Sequence, residues 1–129
     1  PNLFMNFSME MFVNALIVGL GGAIGSIVRF LTNELFDNYL NQSSAYATLT
    51  VNVIGCFLIG MILGSTLPTR DASFYFFVIG FLGSYTTMSA FSHQIILMAN
   101  SNLIGAISYI MLTVFLTILA TYIGASFTK

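Results

Sequence analysis

Charge is confined to a few places along this chain, and the distances between them dictate what it can fold into. Glu10 and Arg29 bracket one uncharged run. Glu34 and Asp37 close a short polar patch, after which a second uncharged run extends from Asn38 to Thr69. Arg70 and Asp71 are adjacent, and from Ala72 to Thr128 the only group that titrates near neutral pH is His93. A helix needs roughly 20 apolar residues to cross roughly 30 Å of hydrocarbon. The first two runs hold one such helix each, and the last is long enough for two. With 57% of its residues hydrophobic and 5% charged, the chain cannot build a water-facing surface, since soluble domains carry about a quarter charged residues. The expected fold is an all-α membrane protein. It has one transmembrane domain over residues 1–129, with spans at about 11–31, 45–65, 73–99 and 103–127.

Between the spans the sequence marks a polar loop from Asn33 to Ser44, a stop at residues 66–71, and a break at Asn100-Ser101-Asn102. With four spans, the N-terminus, the 66–71 loop and the C-terminus share one side, which carries Arg70 and Lys129 against Arg29 on the other. Two basic residues against one is a weak orienting bias, which allows insertion both ways and hence an antiparallel homodimer. Four helices of this length leave little room for a solvated path among themselves, so transport would favour an oligomer. The net charge of −1 offers no basic track for a nucleic acid. The first ten residues lack the basic head of a cleaved signal peptide. Cys56 stands alone in an apolar run and reads as a small packing residue. No nucleophile–base pair, phosphate loop or HExxH motif is present, so an enzyme is not expected.

The informative residues are the polar ones inside the spans. Gly21 and Gly25, like Gly60 and Gly64, are spaced for close helix packing. Gly80-Phe81-Leu82-Gly83-Ser84-Tyr85-Thr86-Thr87 places two glycines and two adjacent threonines in the middle of the third span, all poor helix formers. A continuous helix and a broken one are both open readings. If the helix breaks, the freed carbonyls need partners that lipid cannot supply, and a cation site near Gly83 and Thr86 becomes reasonable. With no carboxylate nearby, a monovalent ion suits it better than calcium. Asn52 and Thr48 share a face of the second span; the amide reads either as helix–helix glue or as a donor to an anion. Tyr109, Thr113 and Thr117 form a hydroxyl stripe, unless each bonds back to its own helix. Met88 and Phe91 share a face, and the positive ring edge of Phe91 favours a small anion. Arg29 reads as an interfacial anchor or as a concentrator of anions at a vestibule. His93 has no second ligand in reach, and Gln94 suits a wetted mouth.

These residues resemble the small fluoride channels, the Fluc or CrcB family. GGAIGSIVRF at 21–30 is similar to the family's GGxxGAxxRY. TLTVNVIGCFLIG at 48–60 is similar to TLxVNxxGxFxxG, and GFLGSYTTMSAFS at 80–92 to GFxGGxTTFSTFS. The resemblance implies an antiparallel dual-topology homodimer in a bacterial plasma membrane, with two narrow fluoride pores built from both subunits and surrounded by lipid. It implies a third helix broken in mid-membrane and a structural Na+ at the dimer centre, held by backbone carbonyls of Gly83 and Thr86. Asn52, Thr48, Phe91, Met88 and Ser89 would line the fluoride path, with Tyr109, Thr113 and Thr117 as its hydroxyl track and Arg29 at the vestibule.

This chain departs from the family pattern at four places. Met88 stands for the first pore Phe and removes its ring edge, Ala90 for a Thr, Ser84 for a Gly, and Gln94 for a frequent Glu. The family also implies a purpose: HF enters cells and ionises, and an inside-negative potential drives the anion out, at about 2.3 kcal/mol per charge per 100 mV. A competing reading is a dual-topology proton-coupled drug exporter, which needs a carboxylate within the membrane; Glu10, at the edge of the first span, is the sole candidate. A non-transporting assembly subunit is the third.

Overall fold

The computed structural model describes residues 8–40, 44–65 and 69–129. It contains four helices long and apolar enough to cross a membrane: Met9–Tyr39, Ser44–Ser65, Phe74–Ser101 and Leu103–Thr128. Helix α1 (Met9–Glu34) is capped by Ser8, whose Oγ accepts from the Met11 N–H at 3.4 Å, and Glu10 in the first turn complements the helix dipole. It does not stop where the sequence places a polar loop. The chain stays helical through a wider turn of i→i+5 bonds at Leu35–Tyr39. The polar residues here include no glycine or proline, and Asn38 Nδ2 bonds Glu34 Oε2 at 2.8 Å across one turn, which supports the helix. Of the expected loop at 33–44, residues 41–43 lie outside the described residues, as do residues 66–68 of the expected stop at 66–71.

Helix α2 (Ser44–Ser65) is straightforwardly apolar. The third span is composite. Asp71 starts it, its Oδ1 accepting from the Phe74 N–H at 3.0 Å and its carbonyl from Tyr75 at 3.1 Å. Phe74–Leu82 is then wound with i→i+5 bonds, and a single α-turn, α3 (Gly83–Tyr85), follows. The backbone leaves helix geometry at Thr86 (φ −79°, ψ 155°) and Thr87 (φ −149°, ψ 119°). Helix α4 (Met88–Ser101) restarts with Thr87 as its cap, the Oγ1 accepting from Ala90 N–H at 3.2 Å. The two β-branched threonines thus serve as break and cap, roles they fill better than a helix interior. Asn102 alone separates α4 from α5 (Leu103–Thr128). Its N–H bonds Met98 O at 2.6 Å and its Oδ1 accepts from Gly105 N–H at 2.9 Å.

The helices pack as two groups. α1 lies along Phe74–Tyr85, whereas α2 packs on α5, with α4 against both. Glycine makes both approaches possible. A methyl added at Gly21 or Gly25 would run into the carbonyl oxygen of Phe76 or Phe81, and one at Gly60 or Gly124 into that of Thr121 or Phe57. Thr128 Oγ1 closes the far end of the α2–α5 pair by donating to Met61 O at 2.7 Å. The core sits between α2, α4 and α5, where Ala47, Val51, Phe91, Ala106 and Tyr109 are buried. Leu16, Leu20 and Ile27 of α1 and Ile104, Phe115 and Ile118 of α5 point outward, as a lipid-facing surface requires.

Gly124→Ala is therefore expected to push α5 off α2 and destabilise the fold by about 1–3 kcal/mol. Gly19→Ala, where no atom lies within 4 Å of the added methyl, should be neutral or slightly stabilising. Thermal unfolding of both variants in detergent, beside the unmodified chain, checks the difference.

Candidate functional site

The break at Thr86–Thr87 exposes backbone groups that a continuous helix would pair internally, and side chains from two other helices take them. Asn52 of α2 makes a reciprocal pair with Thr87: its Oδ1 accepts from the Thr87 N–H at 2.8 Å and its Nδ2 donates to the Thr87 carbonyl at 3.1 Å. The amide thus joins α2 to the break, and one Nδ2 hydrogen has no partner among the described residues. Gly55, three residues on, gives room for the Thr86 methyl group, which a side chain at 55 would strike. From the other side, Arg29 Nε donates to the Ser84 carbonyl at 3.0 Å. Thr86 folds back on the preceding turn, its N–H and Oγ1 both donating to Leu82 O, at 3.1 and 2.9 Å. Since the Thr87 N–H is turned to Asn52, the Gly83 carbonyl loses its α-helical donor. The Thr86 carbonyl accepts no backbone hydrogen bond among the described residues. Gly83 lies on the open surface of the chain.

Beside the break, α2, α4 and α5 enclose an uncharged polar cluster centred on Gln94. Gln94 Nε2 donates to Thr48 Oγ1 at 2.8 Å and to the Ser44 carbonyl at 3.1 Å, while its Oε1 accepts from the Tyr109 hydroxyl at 2.8 Å. The Ser44 carbonyl can only accept, which fixes which end of the amide faces it. The Tyr109 oxygen is also 3.3 Å from Ala45 O. The ring of Phe91 meets that of Tyr109 edge-on, centroids 5.2 Å apart. Thr48, Phe91, Tyr109 and Thr113 are all at most 7% exposed. Thr113 Oγ1 is buried with no hydrogen-bond partner among the described residues.

The sequence-designated residues divide accordingly. Thr48, Asn52, Phe91, Tyr109 and Thr113 are brought to one region. Thr117 lies on the same helix, but its hydroxyl bonds back to Thr113 O at 2.7 Å and is spent locally. Met88 and Phe91 do not share surroundings. Met88, first residue after the break, is 72% exposed whereas Phe91 is 7% exposed. Ser89 is exposed with its Oγ 3.3 Å from Thr87 Oγ1. Arg29 does not end the first helix, which continues beyond it, and it is half-buried with its Nε on the Ser84 carbonyl. Gln94, read from sequence only as a wetted mouth, is the hub. Its signal was available: an amide three residues from Phe91, on the same helix face, must find partners when packing draws it out of water.

Chemically the cluster offers neutral hydrogen-bond donors and an aromatic edge. Among the described residues no three His, Cys, Asp or Glu side chains come together to hold a metal. An arrangement of this kind can replace the water around a small anion without fixing a countercharge to it.

The model of the family described as CrcB-like protein, Camphor Resistance (CrcB), matches residues 16–125. A Flavobacterium psychrophilum protein is 39% identical over 116 residues, covering 87% of this chain and 94% of its own. A Haemophilus ducreyi protein is 47% identical over 83 residues, 64% of each chain. A Campylobacter jejuni protein is 37% identical over 112 residues, 84% of this chain and 92% of its own. All three relatives carry the name fluoride-specific ion channel FluC.

Replacing the hub tests the cluster without reference to any ligand. Gln94→Leu deprives the Tyr109 hydroxyl of its nearer acceptor and Thr48 of its donor. It should cost about 1–3 kcal/mol of stability, read as a lowered unfolding temperature, with His93→Leu at the exposed neighbouring position as control.

Proposed function

The chain belongs to the CrcB-like protein family, and from that membership we propose that it forms a fluoride-selective channel that lets cytoplasmic fluoride leave passively. The observation that carries the proposal is the uncharged donor cluster of buried Thr48, Tyr109 and Thr113 with half-buried Gln94 beside the Phe91 ring. A passing fluoride needs donors to replace its water, and it must leave again. Neutral hydroxyl and amide hydrogens meet the first need, and the absence of a fixed cation among them meets the second. Among the described residues Thr113 holds a hydroxyl without a partner and Asn52 an unused amide hydrogen, and Phe91 adds a positive ring edge. No group in the cluster exchanges protons near neutral pH, so the flow is not coupled to protons and follows the fluoride gradient and the membrane potential.

The functional unit is an antiparallel, dual-topology homodimer with two pores, in the bacterial plasma membrane. Its support is the near-even distribution of basic residues and the surface character of Gly83, Met88 and Ser89, all open on the single chain at the break. Thr87 stands halfway along the 28-residue third span, which supports a break in mid-membrane. The carbonyls of Gly83 and Thr86, both without their helical donors, suit a Na+ at the dimer centre, with the partner supplying the same pair. The ion would supply a positive charge that joins the two breaks. Thr117 and Arg29 take secondary places in this scheme, since the hydroxyl of the one and the Nε of the other are already engaged. The proton-coupled exporter finds no support, because Glu10 is exposed in the first turn of α1.

Purified protein in liposomes loaded with potassium fluoride should release fluoride to an electrode when valinomycin is added, and retain chloride. Equal chloride release, or no fluoride release from well-folded protein, would remove the channel reading. Phe91→Ile should slow fluoride release about tenfold or more, taking the ring-edge contact with the ion as about 1.4 kcal/mol or more, with the oligomer intact on gel filtration.

A further inference from the structure

The break is gripped from two sides, and the grip from α1 lies outside the proposed pathway. At Gly25 the α1 backbone presses against the Phe81 carbonyl, and at Gly22 it passes close to Ser84. One turn after Gly25, Arg29 reaches over and its Nε bonds the Ser84 carbonyl at 3.0 Å in a part-buried position. In an unbroken helix that carbonyl would take the N–H of Met88. Arg29 thus occupies the acceptor that the returning chain would need to heal the helix. A cationic donor at the carbonyl end of a helix is also favourably placed toward its dipole.

We infer that Arg29 is a positioning residue: by taking the Ser84 carbonyl it ends α3 and holds open the Thr86–Thr87 break that Asn52 clamps from α2. Its donor geometry, not its charge in a vestibule, is what the chain uses. The consequence for conduction rests on the fluoride-channel reading; the clamp itself does not. Two substitutions separate donor from charge. The Nε2 of glutamine stands the same number of bonds from the backbone as the arginine Nε, and it carries no charge. Lysine keeps the charge, but its ammonium lies one bond further out on a flexible stem.

Hydrogen–deuterium exchange of a peptide spanning residues 82–90 reads the break, and fluoride release from liposomes reads its consequence. Arg29→Met frees the Ser84 carbonyl for the Met88 N–H, so it should slow exchange at the break about tenfold and slow fluoride release. Arg29→Gln should return both to within about twofold of the unmodified chain, since the hydrogen bond is kept. Arg29→Lys should restore neither. Full rescue by lysine and none by glutamine would overturn the assignment in favour of a charge effect, as would unchanged exchange in Arg29→Met. Should the methionine variant fail to fold, the glutamine–lysine comparison decides alone. If the unmodified chain releases no fluoride while exchange follows the expected order, the channel reading falls and the clamp stands.

Discussion

The reciprocal hydrogen bonds between Asn52 and the backbone of Thr87 are what the rest of this structure depends on. A span that leaves helix geometry frees N–H and C=O groups, and in hydrocarbon each one left unpaired costs several kcal/mol. One side-chain amide offers a donor and an acceptor in the same plane, so it can match both groups of a single residue at once. Arg29 then takes the Ser84 carbonyl, and Thr86 turns back on Leu82. With those groups satisfied, α4 restarts in a direction that sets Phe91 and Gln94 against α2 and α5. The polar cluster exists because the break is affordable.

The neutrality of that cluster follows from the same economy. A full charge buried among α2, α4 and α5 would need a partner or a change in protonation. Hydroxyls and an amide can instead satisfy one another, as Tyr109, Gln94 and Thr48 do. The same groups can exchange a mutual bond for one to an ion at little net cost, since one hydrogen bond replaces another. The Thr113 hydroxyl, without a partner among the described residues, is the exception, and it is the group with most to gain from an anion beside it.

The sequence disclosed some of this and withheld the rest for physical reasons. The four spans were legible because lipid imposes length and apolarity on every helix. The weak point at Gly83–Thr87 was legible because glycine and β-branched residues resist helix formation. The helix through Leu35–Tyr39 was not, since polarity marks water and does not by itself break a helix. Helical periodicity put Met88 and Phe91 on one face, yet one is exposed and the other buried. Spacing says which residues are neighbours on a helix, not how far along it the next helix reaches. Gln94 was underrated for the same reason: its partners are 46 and 50 residues earlier and 15 later in sequence.

Arg29 shows why a charged residue in an apolar chain should be read by its atoms before its charge. As one of three basic residues it invites an electrostatic role, and a vestibule would give it one. Yet a lone guanidinium beside lipid must first satisfy its own N–H groups, and the nearest acceptor with no helical donor is the carbonyl at the end of α3. That bond draws Arg29 inward, where its charge is less available to ions in water and more available to the helix end. Long-range attraction is screened over about 8 Å at physiological salt, whereas a 3.0 Å hydrogen bond to a freed carbonyl acts at every salt concentration. In a chain this poor in charge, the local bond adds to the close packing of Gly21 and Gly25 that sets α1 against the break.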